Sequence, residues 1–243
     1  MIRQYSIFPE KMKCFSGSML KVLAMVTMII DHVGSHLVGR SIIIFETETY
    51  TLTLYRLMRD IGRLAFPLFC FLLIEGYLHT RSKVRYGVSL GVMALISEIP
   101  FDLEHYNKLF DLHGQNIFFT LLLGYLAICA VEQWKSKHPI LLIPVLIGIM
   151  LAAGFGLVDY GVFGVAFIVV LYALRQNEFF RLFSAFLLGN SRFVMLAFLP
   201  MSLYNGKRGF IKGKFLKYAF YAIYPVHIFI IYLLKLHWGL FQK

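Results

Sequence analysis

The sequence predicts an all-α polytopic membrane protein, a bundle of about nine transmembrane helices within a range of about eight to ten. Two observations support this fold class. Of the 243 residues, 59% are hydrophobic and 15% are charged, and the mean hydropathy is +0.71, whereas soluble domains carry about 45–50% apolar and about 25% charged residues. The apolar residues also gather in runs that approach the roughly 20 residues a spanning helix needs.

The apolar runs predict the elements in chain order. The first four runs and the last are the clearest, while the seventh and eighth are short and also fit a re-entrant hairpin or one longer tilted helix. The expected spans are 19–38, 61–79, 86–101, 116–132, 139–157, 160–174, 179–190, 192–204 and 217–236. They predict an N-terminal segment, a single transmembrane domain and a C-terminal tail, at 1–18, 19–236 and 237–243.

Basic residues set the expected orientation. They lie between the apolar runs, so the net charge of +11 indicates membrane topology rather than a nucleic-acid partner. If nine spans alternate, one side holds 16 Lys and Arg residues and the other holds 8. Cytoplasmic loops carry the excess of Lys and Arg. We therefore expect a multi-pass protein, surrounded by membrane lipids, with a cytoplasmic N-terminus.

Several ionisable side chains lie inside the expected spans, where each costs roughly 2.5–3.5 kcal/mol on insertion scales. Such residues are retained where they face a bundle interior or a wet cavity. With nine alternating spans, all of them except Glu75 fall between the midplane and the outer face, which predicts a polar site there. The set comprises Asp31, His32, His36, Glu75, Glu98, Asp159 and His227.

His32 is the expected general base, because an imidazole with a pKa of about 6.5 is the usual base near neutral pH. Its neighbour Asp31 stands about 100° away around a helix, so both can border one cavity. Two arrangements of Asp31 fit: it orients His32, or it forms an ion pair with Arg59 or Arg63. His32 and His36 share a helix face, but no HExxH motif or Cys/His cluster accompanies them, so no metal is expected.

Arg56, Arg59 and Arg63 recur at spacings of three and four, which places them in one stripe on a helix. Guanidinium groups hold phosphates and carboxylates bidentately. Anchoring at the membrane interface, or pairing with nearby acids, is the alternative role of this stripe. His227 also has two interpretations, as a site residue or as a core histidine bonded to Tyr224 or to a backbone carbonyl.

Seven stretches of the chain, in order, resemble the TraX family of F-pilin acetylase-like membrane acyltransferases. They are LKVLAMVTMIIDHVG, RLMRDIGRLAFPLFCFLLIEGYLHTRSK, SEIPFD, NIFFTLLLG, VDYGVFG, LYNGKRG and YAFYAIYPVHIFII, and they extend from about Leu20 to Leu236. The resemblance implies a bacterial inner-membrane enzyme within a wider transmembrane acyltransferase group that includes heparan-alpha-glucosaminide acetyltransferase. Those proteins use cytoplasmic acetyl-CoA to acetylate an acceptor across the membrane, with a histidine in the membrane-embedded site.

The resemblance also implies roles for individual residues. The DH of the first span supplies Asp31 and His32 as the catalytic pair, and acetyl-CoA is the acyl donor. From residue chemistry alone, we expect its phosphates at the basic residues after the eighth span, with Arg81, Lys83 and Arg85 as the second candidate site. The implied oxyanion and acceptor pocket comprises Arg59, Arg63, Asn116, Thr120, Tyr224 and His227, and the expected phosphate site comprises Lys207, Arg208, Lys212 and Lys214.

The expected reaction moves an acetyl group to an amine or hydroxyl at the outer side of the membrane. A pilin-like protein N-terminus, an envelope glycan or a lipid would serve as acceptor. A proton-coupled small-molecule transporter is the alternative, because intramembrane Asp, Glu and His residues also form proton relays. A purely structural membrane partner is a third possibility, and the apolar surface is compatible with a homo-oligomer.

Overall fold

A computed structural model describes residues 7–47, 51–177, 179 and 192–240. These residues belong to two compact units. The terminal unit holds the described residues of Ile7–Phe69 and Gly189–Lys243, and the central unit holds those of Cys70–Leu188.

Helices make up most of the described chain. The strands are β1 (Ile43–Glu46) and β2 (Thr51–Thr53). The helices are α1 (Gly17–His36), α2 (Leu54–Gly62), α3 (Ala65–His79), α4 (Lys83–Tyr106), α5 (Ile117–Trp134), α6 (Pro139–Phe155), α7 (Gly161–Ala173), α8 (Arg192–Leu196), α9 (Phe198–Ser202) and α10 (Gly213–His237).

Five helical stretches are long and apolar enough to cross a membrane. They coincide with the first four expected spans and with the last. The predicted fold class, a helical polytopic membrane protein, is therefore confirmed, although the count of nine spans is not. The five stretches are Gly17–His36, Leu54–His79, Lys83–Tyr106, Ile117–Trp134 and Phe215–His237.

The fifth, sixth and eighth expected spans correspond to shorter apolar helices in the described part of the chain. α6 has 17 residues and α7 has 13, which correspond to lengths of roughly 26 Å and 20 Å at 1.5 Å per residue. The chain turns between them at Leu157, whose φ is 50°. The eighth expected span is divided into α8 and α9, of five residues each. The seventh, 179–190, lies outside the described residues apart from Phe179.

A β-hairpin precedes the second span and departs from the all-α prediction. β1 pairs antiparallel with β2, with Ile43 opposite Thr53 and Glu46 opposite Thr51. The β-branched run in β1 and the alternation in β2 favour strands. α2 then starts at Leu54, earlier than the expected 61, because the Thr53 hydroxyl accepts a hydrogen bond from the Arg56 backbone N–H at 3.2 Å and caps the helix.

The loop 203–211 holds the start of α1 in the terminal unit. The Gly17 N–H donates to the Lys207 carbonyl at 2.8 Å, and the Ser18 N–H donates to the Arg208 carbonyl at 2.9 Å. The Ser18 hydroxyl accepts from the Ile211 N–H at 2.8 Å. The first backbone donors of a helix have no partner within it, so this loop satisfies them and brings two distant parts of the chain together.

Gly209 makes that contact possible. Its φ is +84°, a left-handed conformation that favours glycine. A Cβ at this position would lie 2.8 Å from the Ser18 Cβ and would also overlap the Ser16 hydroxyl. Gly209, the second glycine of the stretch LYNGKRG, is therefore required by the fold of the loop.

The central unit is built around α5, which packs against α4, α6 and α7. Small and branched side chains fill the space between α5, α6 and α7: Ala127, Ala153, Val158 and Val165 are buried together. Small residues allow close approach of helix backbones in membranes. α5 is therefore the helix that organises this unit.

A charged loop closes the end of the central unit between α4 and α5. The Asp102 carboxylate accepts from the Asp111 backbone N–H at 2.9 Å. The Asp111 carboxylate accepts a hydrogen bond from the Lys108 ammonium at 2.7 Å and further hydrogen bonds from the backbone N–H and the ring of His113. These bonds hold the pKa of Asp111 well below its ordinary value. The loop is thus organised around an ionised Asp111.

We expect this loop to weaken in acid. A carboxyl whose pKa is depressed by folding adds stability above its unfolded pKa of about 3.9, and that stability is lost as the pH falls further. The thermal unfolding midpoint should therefore drop between about pH 5 and pH 2, and the drop should be shallower in Asp111→Asn. Equal pH slopes for the two proteins would show that Asp111 contributes nothing to the loop.

Candidate functional site

Two histidines from two spanning helices form a hydrogen-bonded pair in the terminal unit. Nδ1 of His32, on α1, lies 2.8 Å from Nε2 of His227, on α10. The rings are nearly coplanar and meet edge to edge through this contact, with centroids 5.0 Å apart and planes 15° from parallel. His227 is only 7% exposed. Packing of α1 against α10 thus joins two predicted site residues that are far apart in sequence.

Two more rings surround the pair. The Tyr224 ring meets His32 edge-on at 6.3 Å and His227 at 5.6 Å between centroids, and Tyr224 is buried. The His36 ring meets His32 edge-on at 6.2 Å, as expected for residues four apart on a helix. On its other side, Nδ1 of His227 lies 2.8 Å from the Ile223 carbonyl oxygen.

Asp31 pairs with an arginine. Arg59 Nη1 donates to Asp31 Oδ2 at 2.6 Å, and the two side chains are 27% and 19% exposed respectively. The other oxygen, Oδ1, is buried and has no hydrogen-bond partner among the described residues. Of the two arrangements that the sequence left open for Asp31, the structure shows the ion pair.

Gly62 lets α2 approach this ion pair. A Cβ at position 62 would overlap the carboxyl group of Asp31, and the obstacle is a side chain already held by Arg59. We expect Gly62→Ala to lower the free energy of unfolding by about 1–3 kcal/mol, the usual cost of overpacking. Chemical denaturation in detergent would measure this, with Gly148→Ala, where a Cβ meets no atom within 4 Å, as the control. Equal values for the two variants would contradict the packing described.

Arg63 lies beside the pair. It caps the C-terminal end of α2 and is close enough to Asp31 for their charges to interact. Within the described residues, its guanidinium group makes no hydrogen bond or ion pair. Arg59, in contrast, is engaged by Asp31, and a role for Arg63 in an acceptor pocket stays a prediction. The third arginine of the stripe, Arg56, is exposed.

Asn116 and Thr120 belong to the central unit, where both are buried. Asn116 caps α5: its side-chain oxygen accepts from the Phe118 N–H at 3.0 Å. Its amide nitrogen donates to the Ala94 carbonyl at 2.8 Å and to the Glu98 carboxylate. These bonds engage the donors of Asn116 in the fold. A place for Asn116 and Thr120 in an acceptor pocket stays a prediction.

The basic residues of the expected phosphate site lie near the start of α1. Lys207, Arg208 and Lys212 are exposed. Lys214 lies in the first turn of α10, and its side chain is outside the described part of the structure. Lys21, from α1, is close enough to Arg208 for their charges to interact.

Two further basic residues lie close to this expected phosphate site, and the sequence did not predict them as part of it. Lys21 and Lys217 come from α1 and α10, and the charges of Arg208 and Lys217 both act on Lys21. The Lys217 ammonium lies 5.5 Å from the centre of the Tyr221 ring. In the sequence these lysines indicate only topology, because the contact between α1 and the loop 203–211 joins residues nearly 190 positions apart. We call Lys21, Lys207, Arg208, Lys212 and Lys217 the basic cluster.

Comparison with known proteins gives a consistent result. A family model described as "TraX protein" matches residues 16–235. The chain is also similar to a protein named "Probable fimbrial assembly protein FimC, serogroup H1" from Dichelobacter nodosus. The two are 29% identical over 249 residues, which cover 88% of this chain and 93% of that protein. No solved structure matches the chain.

Proposed function

The chain belongs to the TraX family, and from this premise we propose that it is an integral-membrane acyltransferase. It moves an acetyl group from acetyl-CoA to an amine or hydroxyl acceptor. The similarity to a protein named for fimbrial assembly supports a pilin-like protein as acceptor. An envelope glycan or lipid is the alternative acceptor class.

The main support for this proposal is the spacing between the basic cluster and His32 along α1. Lys21 of the basic cluster and His32 are eleven residues apart, which is about 16 Å along a helix and roughly half of the 30 Å hydrocarbon thickness. Acetyl-CoA has an anionic nucleotide at one end and a thioester at the other end of a long, uncharged arm. The arrangement suits a donor whose phosphates contact the basic cluster and whose thioester reaches His32.

In the proposed reaction the acceptor nitrogen or oxygen attacks the thioester carbonyl carbon while His32 takes the acceptor proton. General-base assistance of this kind is typically worth about 10²–10⁴-fold in rate. Arg63 faces the negative charge that develops on the carbonyl oxygen, since a preorganised donor in a dry site stabilises such charge strongly. The carbon–sulfur bond then breaks, the CoA thiolate leaves with the proton from His32, and the acceptor carries the acetyl group.

The excess of basic residues supports a cytoplasmic N-terminus in a bacterial inner membrane. The basic cluster would then face the cytoplasm, where acetyl-CoA is made. His32 lies past the middle of α1, towards the opposite face. Donor and acceptor would thus enter from opposite sides.

Neutralising the basic cluster should weaken CoA binding. Lys207→Gln with Arg208→Gln removes two hydrogen-bonding cations, each worth about 1.5–3 kcal/mol to a charged partner when buried and less when exposed. We expect CoA affinity to fall by about 10- to 100-fold, measured by calorimetry on the detergent-solubilised protein. Lys137→Gln, an exposed lysine of the central unit, is the control. Unchanged affinity in the double variant would place the phosphates elsewhere.

A proton-coupled transporter is the second candidate, because a pair of bonded imidazoles inside spanning helices also suits proton transfer. The two functions differ in their need for CoA. A binder of CoA is stabilised by RT ln(1 + [L]/Kd), which is about 2.7 kcal/mol at 100 Kd, so CoA should raise the thermal unfolding midpoint. The transporter instead predicts solute uptake by vesicles that follows a proton gradient, with no effect of CoA on unfolding.

A further inference from the structure

We propose that His227 is the positioning residue for His32 and determines which nitrogen of His32 carries the hydrogen. This inference rests on the proposed role of His32 as general base. The family resemblance implied a place for His227 in an acceptor pocket, and the sequence left open whether Asp31 orients His32 or pairs with an arginine. In the structure, His32 Nδ1 is instead hydrogen-bonded to His227, and Asp31 forms an ion pair with Arg59.

The positions of the ring hydrogens follow from the backbone carbonyl of Ile223, which ends the chain of hydrogen bonds from His32 through His227. A backbone carbonyl can only accept, so the 2.8 Å contact between His227 Nδ1 and the Ile223 oxygen places a hydrogen on His227 Nδ1. A neutral imidazole carries one N–H, so Nε2 of His227 is an acceptor. The 2.8 Å bond to His32 must then be donated by His32 Nδ1. The lone pair of His32 is therefore at Nε2.

The local structure of α10 supports this order. Ile223 and His227 are four residues apart, and side chains on a helix lean back over the preceding turn. The His227 ring is thereby held against the carbonyl of its own helix, while its far nitrogen points to α1. The hydrogen bond to His32 and the edge-on contact with Tyr224 restrict rotation of the ring.

This arrangement suits a base that works inside a membrane. When Nε2 of His32 takes a proton, the bond from Nδ1 to His227 becomes charge-assisted and stronger. An aspartate performs this orienting role in the triad of serine proteases. A neutral imidazole avoids placing a second anion in the membrane-spanning region, where charges are costly. His227 keeps its own hydrogen throughout, so no further proton transfer is needed.

The inference can be tested by the tautomer of His32. We would record ¹⁵N spectra of the full-length protein in lipid nanodiscs with labelled histidine, and identify the His32 signals by their loss in His32→Gln. We expect Nδ1 of His32 to be protonated and Nε2 not. His227→Phe, which keeps an aromatic ring but has no acceptor, should shift the hydrogen to Nε2. His227→Gln, whose side-chain oxygen can accept, should retain the original tautomer.

Activity provides the second measurement. In His227→Phe we expect kcat to fall by about 10- to 100-fold, the usual effect of losing an orienting partner, with KM unchanged and partial recovery in His227→Gln. A hydrogen on Nε2 in the wild type, or an unchanged tautomer in a folded His227→Phe variant, would overturn the inference even if acetyl transfer is intact. Absence of transfer in the wild type would instead overturn the proposed function and leave the tautomer result standing.

Discussion

Replacing His32 with alanine is expected to lower the rate of acetyl transfer by about 10²- to 10⁴-fold, the usual contribution of a general base. The loss should be in kcat, because His32 acts on the acceptor proton and lies about 16 Å along α1 from the basic cluster. CoA affinity should therefore be retained. Initial rates with labelled acetyl-CoA, together with calorimetric CoA binding, separate the two quantities.

His237→Ala is the matched control for this variant. His237 lies at the C-terminal end of α10 and is exposed, so its replacement removes an imidazole from the same unit without touching the histidine pair. Near-complete activity in His32→Ala would contradict the account and make His36 the next candidate for the base. A parallel loss of CoA binding would show that His32 supports the fold rather than the reaction.

Replacing Arg59 with alanine is expected to have the largest effect on stability. It leaves the Asp31 carboxylate in a spanning helix with no partner for Oδ2, while Oδ1 already has none among the described residues. Breaking a buried pair in this way costs about 3–5 kcal/mol. Because these side chains are 27% and 19% exposed, solvent screening reduces the expected loss to about 2–3 kcal/mol.

The double variant Arg59→Ala with Asp31→Asn separates the cost of an unpaired charge from the loss of packing. It should recover at least about 1 kcal/mol of the loss, because no carboxylate is then left in the membrane-spanning region. A double-mutant cycle by chemical denaturation in detergent measures the coupling. Additive effects of the two substitutions would mean that Asp31 and Arg59 do not interact in the folded protein.

Much of the fold could be predicted from hydropathy, since a spanning helix must bury its backbone polar groups within an apolar run. The limits of this signal are visible at α6 and α7. Both are apolar throughout, yet they have only 17 and 13 residues, with the turn at Leu157 between them. Hydropathy does not predict the hairpin of β1 and β2, because its Ile and Thr residues adjoin an apolar run and fit a connection between spans equally well.

The site was predicted as a set of residues, but not as a set of pairs. Ionisable side chains inside spanning helices are costly and are therefore recognisable as site candidates in the sequence, as Asp31, His32 and His227 are. Which partner each residue takes depends on the rotation and depth of α1, α2 and α10 relative to one another, and no local pattern encodes these. For the same reason Lys21 indicates only topology in the sequence: its relation to Arg208 exists only after the loop 203–211 has folded onto α1.

In the proposed mechanism, acetyl-CoA is consumed by a reaction that requires His32. The most direct measurement is transfer of labelled acetyl from acetyl-CoA to an amine or hydroxyl acceptor by the purified protein in sealed vesicles, with acetyl-CoA supplied on one side only. We expect labelled acceptor with the wild type, and almost none with a folded, CoA-binding His32→Ala variant. Failure of the wild type to bind acetyl-CoA or transfer its label, or equal transfer by the variant, would contradict it.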